Sequence, residues 1–328
     1  MADGGLVERL LEEAEEIRGK SVAESSRKTY LSALGVYEKT MKDQISVDPY
    51  PIDVRKMMAF LVFMKRLKRT YSTLANYVCA FSFYFRSHNM DNLTEDIQFK
   101  VFQTGLRREL CATEKNPKAK DPFELEFFER IAAMVPLDVV ENRRLMFCMT
   151  VAFSAFLRIS ELMNLRKRDI RVDLGMDRME IFIMRSKTDQ YGQGESTFLF
   201  KNDGPACPWK YLDVLETIEE DDRIIGQKTE PQLRKSLAGI LRCIGVPHVE
   251  RYSFHSFRRG GAHLASKNGV ADCMIKAHGR WKSEAYLRYV AVDRRDAEGN
   301  LRPVSGPVVR LNKCCFFTSK VRKKFFKK

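Results

Sequence analysis

The chain has 328 residues, 44% of them hydrophobic and 30% charged, which is an ordinary globular balance and a length that suits two domains better than one. Lys and Arg outnumber Asp and Glu by 57 to 43, giving a formal net charge of +14 and pointing to a polyanionic partner, nucleic acid before an anionic membrane surface. The start of the chain is acidic and amphipathic rather than a secretory leader, the longest apolar run (Met57 to Met64) is too short to cross a bilayer, and none of the eight cysteines falls in a C-x-x-C pair, so secretion, a membrane span and a zinc framework are not expected.

In chain order, residues 4–19 read as a helix with Leu6, Leu10, Ala14 and Ile17 on one side, suited to packing on the body or on another subunit. From 21 to 112 the pattern is helical throughout. It comprises "SSRKTYLSALGVYEKTM", "PIDVRKMMAFLVFMKRLKR", "TYSTLANYVCAFSFYFRSH" and a shorter helix ending near Leu110, with starts near Ser25 or Ser26, Asp53 and Ser72. "KRLKR" places Lys65, Arg66, Lys68 and Arg69 at a helix end, either as a solvated, dipole-favoured terminus or as phosphate contacts. The lysine-rich stretch 113–124, with two prolines, reads as a linker.

A second unit is expected over 125–300. "ENRRLMFCMTVAFSAFLR" reads as a strongly apolar helix ended by Arg158, with Ser160 as a possible cap of the next helix, "ELMNLRKRDI". A strand beginning near Ile170 and the segments "MEIFIMR" and "STFLF" suit a small sheet, the last two joined by the polar "SKTDQYGQGE". Helices resume after Pro231 and run to about Val290, and 301–328 form a tail ending in dense positive charge. The fold class is therefore mainly α with a small β-sheet.

Three stretches carry candidate chemistry. In "YSFHSFRRGGAHLASKNG", a helix starting at Ser253 or Phe254 puts His255 and Arg258 on one face, where they suit an anion, and Gly260 and Gly261 permit close approach of a neighbour; an exposed basic turn is the plainer alternative. Arg158 follows such apolar sequence that it needs an acid or a phosphate, and Glu161 is its nearest acid. Lys187 stands where a strand meets the turn. The remaining histidines, His88, His248, His263 and His278, are scattered, with His278 near enough to serve as a backup donor.

An Arg leading "ISEL", a hairpin Lys, H-x-x-R, Gly-x-Trp and then a Tyr, in that order, resemble the catalytic series of the tyrosine recombinase (phage integrase) family over roughly residues 20–295. The wording "HSFRRGGAHLA" with "GRWKSEAYLRYV" looks most similar to recombinases of eukaryotic mobile elements of the DIRS and crypton kinds. The resemblance implies a helical core-binding domain that clamps DNA, followed by a mixed α/β catalytic domain. It puts the family's first Arg on Arg158, its acidic helper on Glu161, its hairpin Lys on Lys187 and its H-x-x-R pair on His255 and Arg258. The late His/Trp position usually follows a Gly directly, which selects Arg280, whereas the donor that the chemistry favours is Trp281. Phe156 stands where the family often has Gly.

The implied chemistry needs no cofactor and no metal. Two guanidiniums clamp the non-bridging oxygens of a phosphodiester, His255 handles the phenolic proton or holds the phosphate, Lys187 protonates the 5′ leaving oxygen, and a Tyr stores the bond as a 3′-phosphotyrosine. Tyr286 and Tyr289 lie only about 60° apart in helical phase. Tyr289 is preferred as nucleophile because it lies eight residues after Trp281, whereas Tyr286 lies only five after it. Double-stranded DNA as partner, a homotetramer on two duplexes, and residence in the nucleus of a eukaryote or otherwise in the cytoplasm are the accompanying expectations. A non-cutting DNA-binding protein of the same fold, and a topoisomerase or resolvase, are the alternatives.

Overall fold

The computed structural model describes residues 4–113, 120–186, 189 and 192–290. Lys187, much of the linker (114–119) and the basic tail (301–328) therefore lie outside the described residues. The chain divides into two compact units, one through Pro117 and one from Lys118.

The first unit is helical: α1 (Gly4–Gly19), α2 (Glu24–Thr40), α3 (Val54–Arg66), α4 (Tyr71–Ser87) and α5 (Ile97–Thr113). Asp53 caps α3, its carboxylate accepting from the Lys56 N–H at 2.8 Å, and Thr70 rather than Ser72 caps α4. The last helix runs to Thr113 and is no shorter than its neighbours. Tyr37, Phe60 and Phe81 meet edge to face at the centre, with Leu61, Phe85 and Phe99 around them. The apolar side of α1 does not join this core: Leu6, Leu10 and Ile17 are 49%, 54% and 60% exposed. Lys65 pairs with Glu109, while Arg66, Lys68 and Arg69 are exposed.

The second unit contains α6 (Leu125–Met134), α7 (Val140–Ser154), α8 (Ile159–Asn164), β1 (Ile170–Asp173), β2 (Arg178–Ile183), β3 (Glu195–Phe200), α9 (Glu230–Cys243), α10 (Phe254–Lys267), α11 (Asp272–His278) and α12 (Leu287–Val290). The strands form an antiparallel sheet in the order β1-β2-β3, with Ile170 opposite Ile181 and Ile183 opposite Glu195. Alternation sets one face inward: Met179, Ile181, Ile183 and Leu199 are buried. The class is thus mainly α with a small sheet, as the periodicities predict. Short 3₁₀ turns over Pro208–Thr217 fill a region to which the sequence pattern assigns no element, and Pro231 lies within the first turn of α9, not before it.

Every residue of α7 from Leu145 to Ser154 is buried, as a helix apolar on all sides requires. It lies against α10, and the contact is so close that a Cβ at Gly261 would stand 2.2 Å from the Phe153 carbonyl oxygen. A Cβ at Gly260 would stand 2.1 Å from that of Phe123. Both obstacles are backbone, which cannot swing aside. Gly261→Ala should therefore destabilise the protein by about 1–3 kcal/mol despite its better helix propensity. Gly239→Ala on α9, where a Cβ meets open space, should leave stability unchanged or raise it by about 0.5–1 kcal/mol. Parallel denaturant titrations decide this; equal stability of the two variants refutes the close-contact account.

Candidate active site

The site grows from two helix ends. Helix α7 stops at Ser154 in a Schellman turn: Phe156 N–H donates to Phe153 O (3.4 Å) and Leu157 N–H to Ala152 O (2.9 Å). The residue in the left-handed conformation is Phe156, with φ +49°, where glycine is the usual occupant. Its ring is buried against His278 and Trp281, which holds it there. The turn ends the helix four residues before Arg158, so Arg158 does not finish α7. It is the N-cap residue of α8, and Ser160 lies inside that helix. Helix α8 ends at Asn164, and the rest of "ELMNLRKRDI" is a short 3₁₀ turn leading into β1.

Helix α11 ends the same way. Arg280 N–H donates to Ala277 O (2.9 Å) and Trp281 N–H to Lys276 O (3.0 Å), with Arg280 itself at φ +56°. These two ends face each other across a set of buried polar bonds. Arg258, on α10, is 1% exposed; its Nη1 donates to Phe156 O and its Nη2 to Gly279 O (2.6 Å). Its guanidinium lies 4.1 Å from the centre of the Trp281 ring. Arg280 donates to Ala155 O and His278 O through Nη1, and to Phe156 O and Glu161 Oε2 (3.1 Å) through Nη2. Glu161 in turn holds Arg158: Oε1 is 2.5 Å from Arg158 Nη1, and Oε2 accepts the Arg158 backbone N–H at 3.0 Å.

The nearby tyrosines separate clearly. Tyr286 belongs to a 3₁₀ turn, is buried, and directs its hydroxyl to Asp272 Oδ2 (3.5 Å). Tyr289, on α12, places its hydroxyl 2.9 Å from His255 Nε2, with its ring against Trp281. The change of helix type between them breaks the phase relation that a continuous helix gives them. His278 is no exposed donor: its Nε2 meets Ser154 O (2.7 Å) and its Nδ1 lies 3.4 Å from Thr197 Oγ1. The structure thus brings Arg158, Glu161, His255, Arg258, Arg280, Trp281 and Tyr289 together in the second unit. Lys65, Arg66, Lys68 and Arg69 lie in the first unit.

The cluster holds three guanidiniums and one carboxylate, which pairs with Arg158 and Arg280, and the electrostatics follow from that imbalance. Burial pushes the Glu161 carboxyl up, but Arg280 and then Arg158 outweigh it and hold it below its usual range. Burial first, and Arg158 second, push Arg258 down to about 9, which leaves it charged at neutral pH. His255 is held below the ordinary imidazole value by desolvation, then by Arg258, Arg158 and Arg259. A neutral imidazole can accept a proton. His278 is pushed down to about 4 by burial and stays neutral. Among the described residues no group of three His, Cys, Asp or Glu side chains is placed to hold a metal, and no helix is long and apolar enough to cross a membrane.

No protein-family model matches the sequence, and no curated protein is a significant sequence match. Solved structures do match. XerH site-specific recombinase, bound to palindromic difH substrate in a post-cleavage complex, aligns at 16% identity with a TM-score of 0.53 over 76% of this chain and 72% of that one. The Tn1549 transposon integrase in complex with transposon right end DNA aligns at 14% identity with a TM-score of 0.57 over 87% and 96%. A lambda integrase tetramer bound to a Holliday junction gives 14% and 0.56 over 86% and 76%. The chain has the fold of these recombinases and integrases.

The left-handed Phe156 supplies a test that reverses ordinary helix preference. Phe156→Ala and Phe156→Gly both lose the buried ring, at about 3–5 kcal/mol. Only glycine also relieves the backbone, so Phe156→Gly should be the more stable by about 1 kcal/mol. An alanine variant at least as stable, measured by thermal melting, would show that the turn stores no such strain.

Proposed function

We propose that the protein is a site-specific DNA recombinase that cuts and rejoins strands through a 3′-phosphotyrosine. The observation that carries this reading is a phenol, Tyr289, hydrogen-bonded to a neutral imidazole beside a cluster of three guanidiniums with a single carboxylate, Glu161, that pairs with two of them. Such a cluster is short of negative charge, and a phosphodiester supplies it. The fold shared with DNA-bound recombinases and integrases is consistent with the reading.

In this reading Arg158 and Arg258 bind the non-bridging oxygens of the scissile phosphate, Arg258 through the N–H donors that Phe156 O and Gly279 O leave unused, and bind them more strongly as attack adds charge. His255 Nε2 takes the phenolic proton while Tyr289 Oη forms the bond to phosphorus. The bond to the 5′ oxygen breaks, and by resemblance Lys187, outside the described residues, returns a proton to it. Attack by the 5′ hydroxyl of a second strand reverses the step, so no metal or nucleotide is consumed. Trp281 spans the two halves of the site, its ring touching both the Arg258 guanidinium and the Tyr289 phenol. The DNA clamp in the first unit, with Lys65, Arg66, Lys68 and Arg69 on phosphates, and a homotetramer on two duplexes belong to the same proposal. The placement in the DIRS and crypton branch rests on the wording of the two motifs alone.

Nicked duplex DNA that traps a covalent adduct is the direct test. Tyr289→Phe should abolish the adduct and leave binding near normal, whereas Tyr286→Phe should retain it. An adduct of full yield from Tyr289→Phe moves the nucleophile elsewhere. No adduct from the native protein on any candidate DNA favours a binding protein that does not cut, and relaxation of supercoiled DNA without strand exchange favours a topoisomerase.

The proton acceptor makes a separate prediction. His255 carries a depressed pKa, so as pH falls it takes up its proton below the pH at which an ordinary imidazole does. Single-turnover cleavage should hold its rate down to that lower pH. A rate that falls with its midpoint at or above the ordinary imidazole value would exclude His255 as the base.

A further inference from the structure

Arg280 stands in the position that the motif series assigns to a phosphate donor, yet its side chain is 2% exposed. Its N–H groups are directed inward. Nη1 serves Ala155 O (3.2 Å) and His278 O (3.0 Å), and Nη2 serves Phe156 O (3.4 Å) and Glu161 Oε2 (3.1 Å). Its Nε is buried without a hydrogen-bond partner. A guanidinium has five N–H donors, and four of these are engaged by the protein while the fifth is enclosed. No donor remains for a DNA phosphate.

The carboxylate that Arg280 touches has a second task. Glu161 grips Arg158 twice, at its guanidinium and at its backbone N–H, and so fixes both where the chain enters α8 and where that side chain points. Arg158 is the more open of the two cations, 18% exposed, and is able to meet a ligand. We propose that Arg280 is a positioning residue for strand cleavage, acting through Glu161 to aim the Arg158 guanidinium, and makes no contact with DNA. This rests on the function proposed above.

The physical argument concerns what happens to Glu161 when Arg280 is gone. A fully buried carboxylate between two cations is stable as an ion, whereas with one cation removed the desolvation that already opposes its charge acts with less opposition. The carboxyl then takes up a proton at higher pH, and a protonated carboxyl is a poor partner for Arg158. The groups that bear on this cluster from the surrounding elements are Arg158 on its own helix, Arg258 from α10, and Glu195 from β3, which acts on Arg280. His278 from α11 is neutral and does not titrate in the same range. Glu161 is therefore the group whose protonation links Arg280 to Arg158.

The test uses the full chain and the nicked-duplex adduct assay, run as single turnovers across pH, together with DNA affinity at several salt concentrations. Arg280→Gln should slow cleavage about 10²-fold near neutral pH, as expected when a clamp is misplaced by about an ångström. DNA affinity and its salt dependence should be unchanged. The lost rate should return as pH rises, because Glu161 is ionised again. In the double variant with Glu161→Gln, which cannot titrate, cleavage should stay slow and lose that pH dependence. Should Arg280→Gln not fold, as thermal melting will show, Glu161→Gln alone carries the test, with slow cleavage and native affinity expected. Native-rate cleavage by Arg280→Gln, or by Glu161→Gln in its stead, overturns the proposal. So does a salt slope reduced by about 0.9 in Arg280→Gln, which marks a lost phosphate contact. An adduct formed by the native protein in the same assay separates these results from a failure of the function itself, since without it both readings fall together.

Discussion

The carbonyl end of α7 holds the second unit together around its site. A helix leaves its last carbonyl groups without partners inside the helix, and its dipole makes that end negative. Here Ser154 O meets His278, Ala155 O accepts from Arg280, and Phe156 O accepts from both Arg258 and Arg280. Side chains from α10 and from the end of α11 converge there because that is where unmet acceptors are. Burying cations is costly unless every donor is placed. Using backbone acceptors, which carry no formal charge, satisfies the guanidiniums without neutralising them. The cluster therefore keeps a surplus of positive charge that a row of carboxylates would have cancelled.

The glycines of α10 are the other half of this arrangement. Arg258 reaches Phe156 O only because the helix carrying it comes within van der Waals distance of the α7 backbone, and Gly261 is the residue that permits it. Packing density and electrostatics are one design problem here. The face of α10 that carries His255 and Arg258 toward the site is kept in place by the absence of side chains one turn further along.

Much of this was legible in the sequence. The helical character of the first unit, the small sheet and the pairing of His255 with Arg258 follow from periodicity and spacing, which are local properties. Two failures share a cause. Arg158 looked like the last residue of α7 because apolar periodicity continues through "SAFLR", and nothing in that pattern announces that Phe156 turns left-handed. Tyr286 and Tyr289 looked alike in phase because a switch from 3₁₀ to α geometry leaves no compositional mark. The ambiguity between Arg280 and Trp281 had a different source. Spacing gives order along the chain, whereas the direction of each side chain depends on a cap that forms only when α7 is already in place. The residue two before Arg158, a Phe where the family often has Gly, carries no weight as sequence; that it sits in a left-handed turn held by packing is visible only in the structure.

Arg280 occupies a backbone conformation that glycine adopts more easily than any other residue. Every arginine codon becomes a glycine codon by a single base change, so mutation keeps offering this position the residue its backbone prefers. A chain that accepted the offer would relax the turn after α11 and lose, in the same event, the cation that faces Glu161 from inside. The arginine therefore stands against both the local conformational preference and one of the simplest available mutations, and its hydrogen bonds to three carbonyls and a carboxylate are the compensation the fold provides.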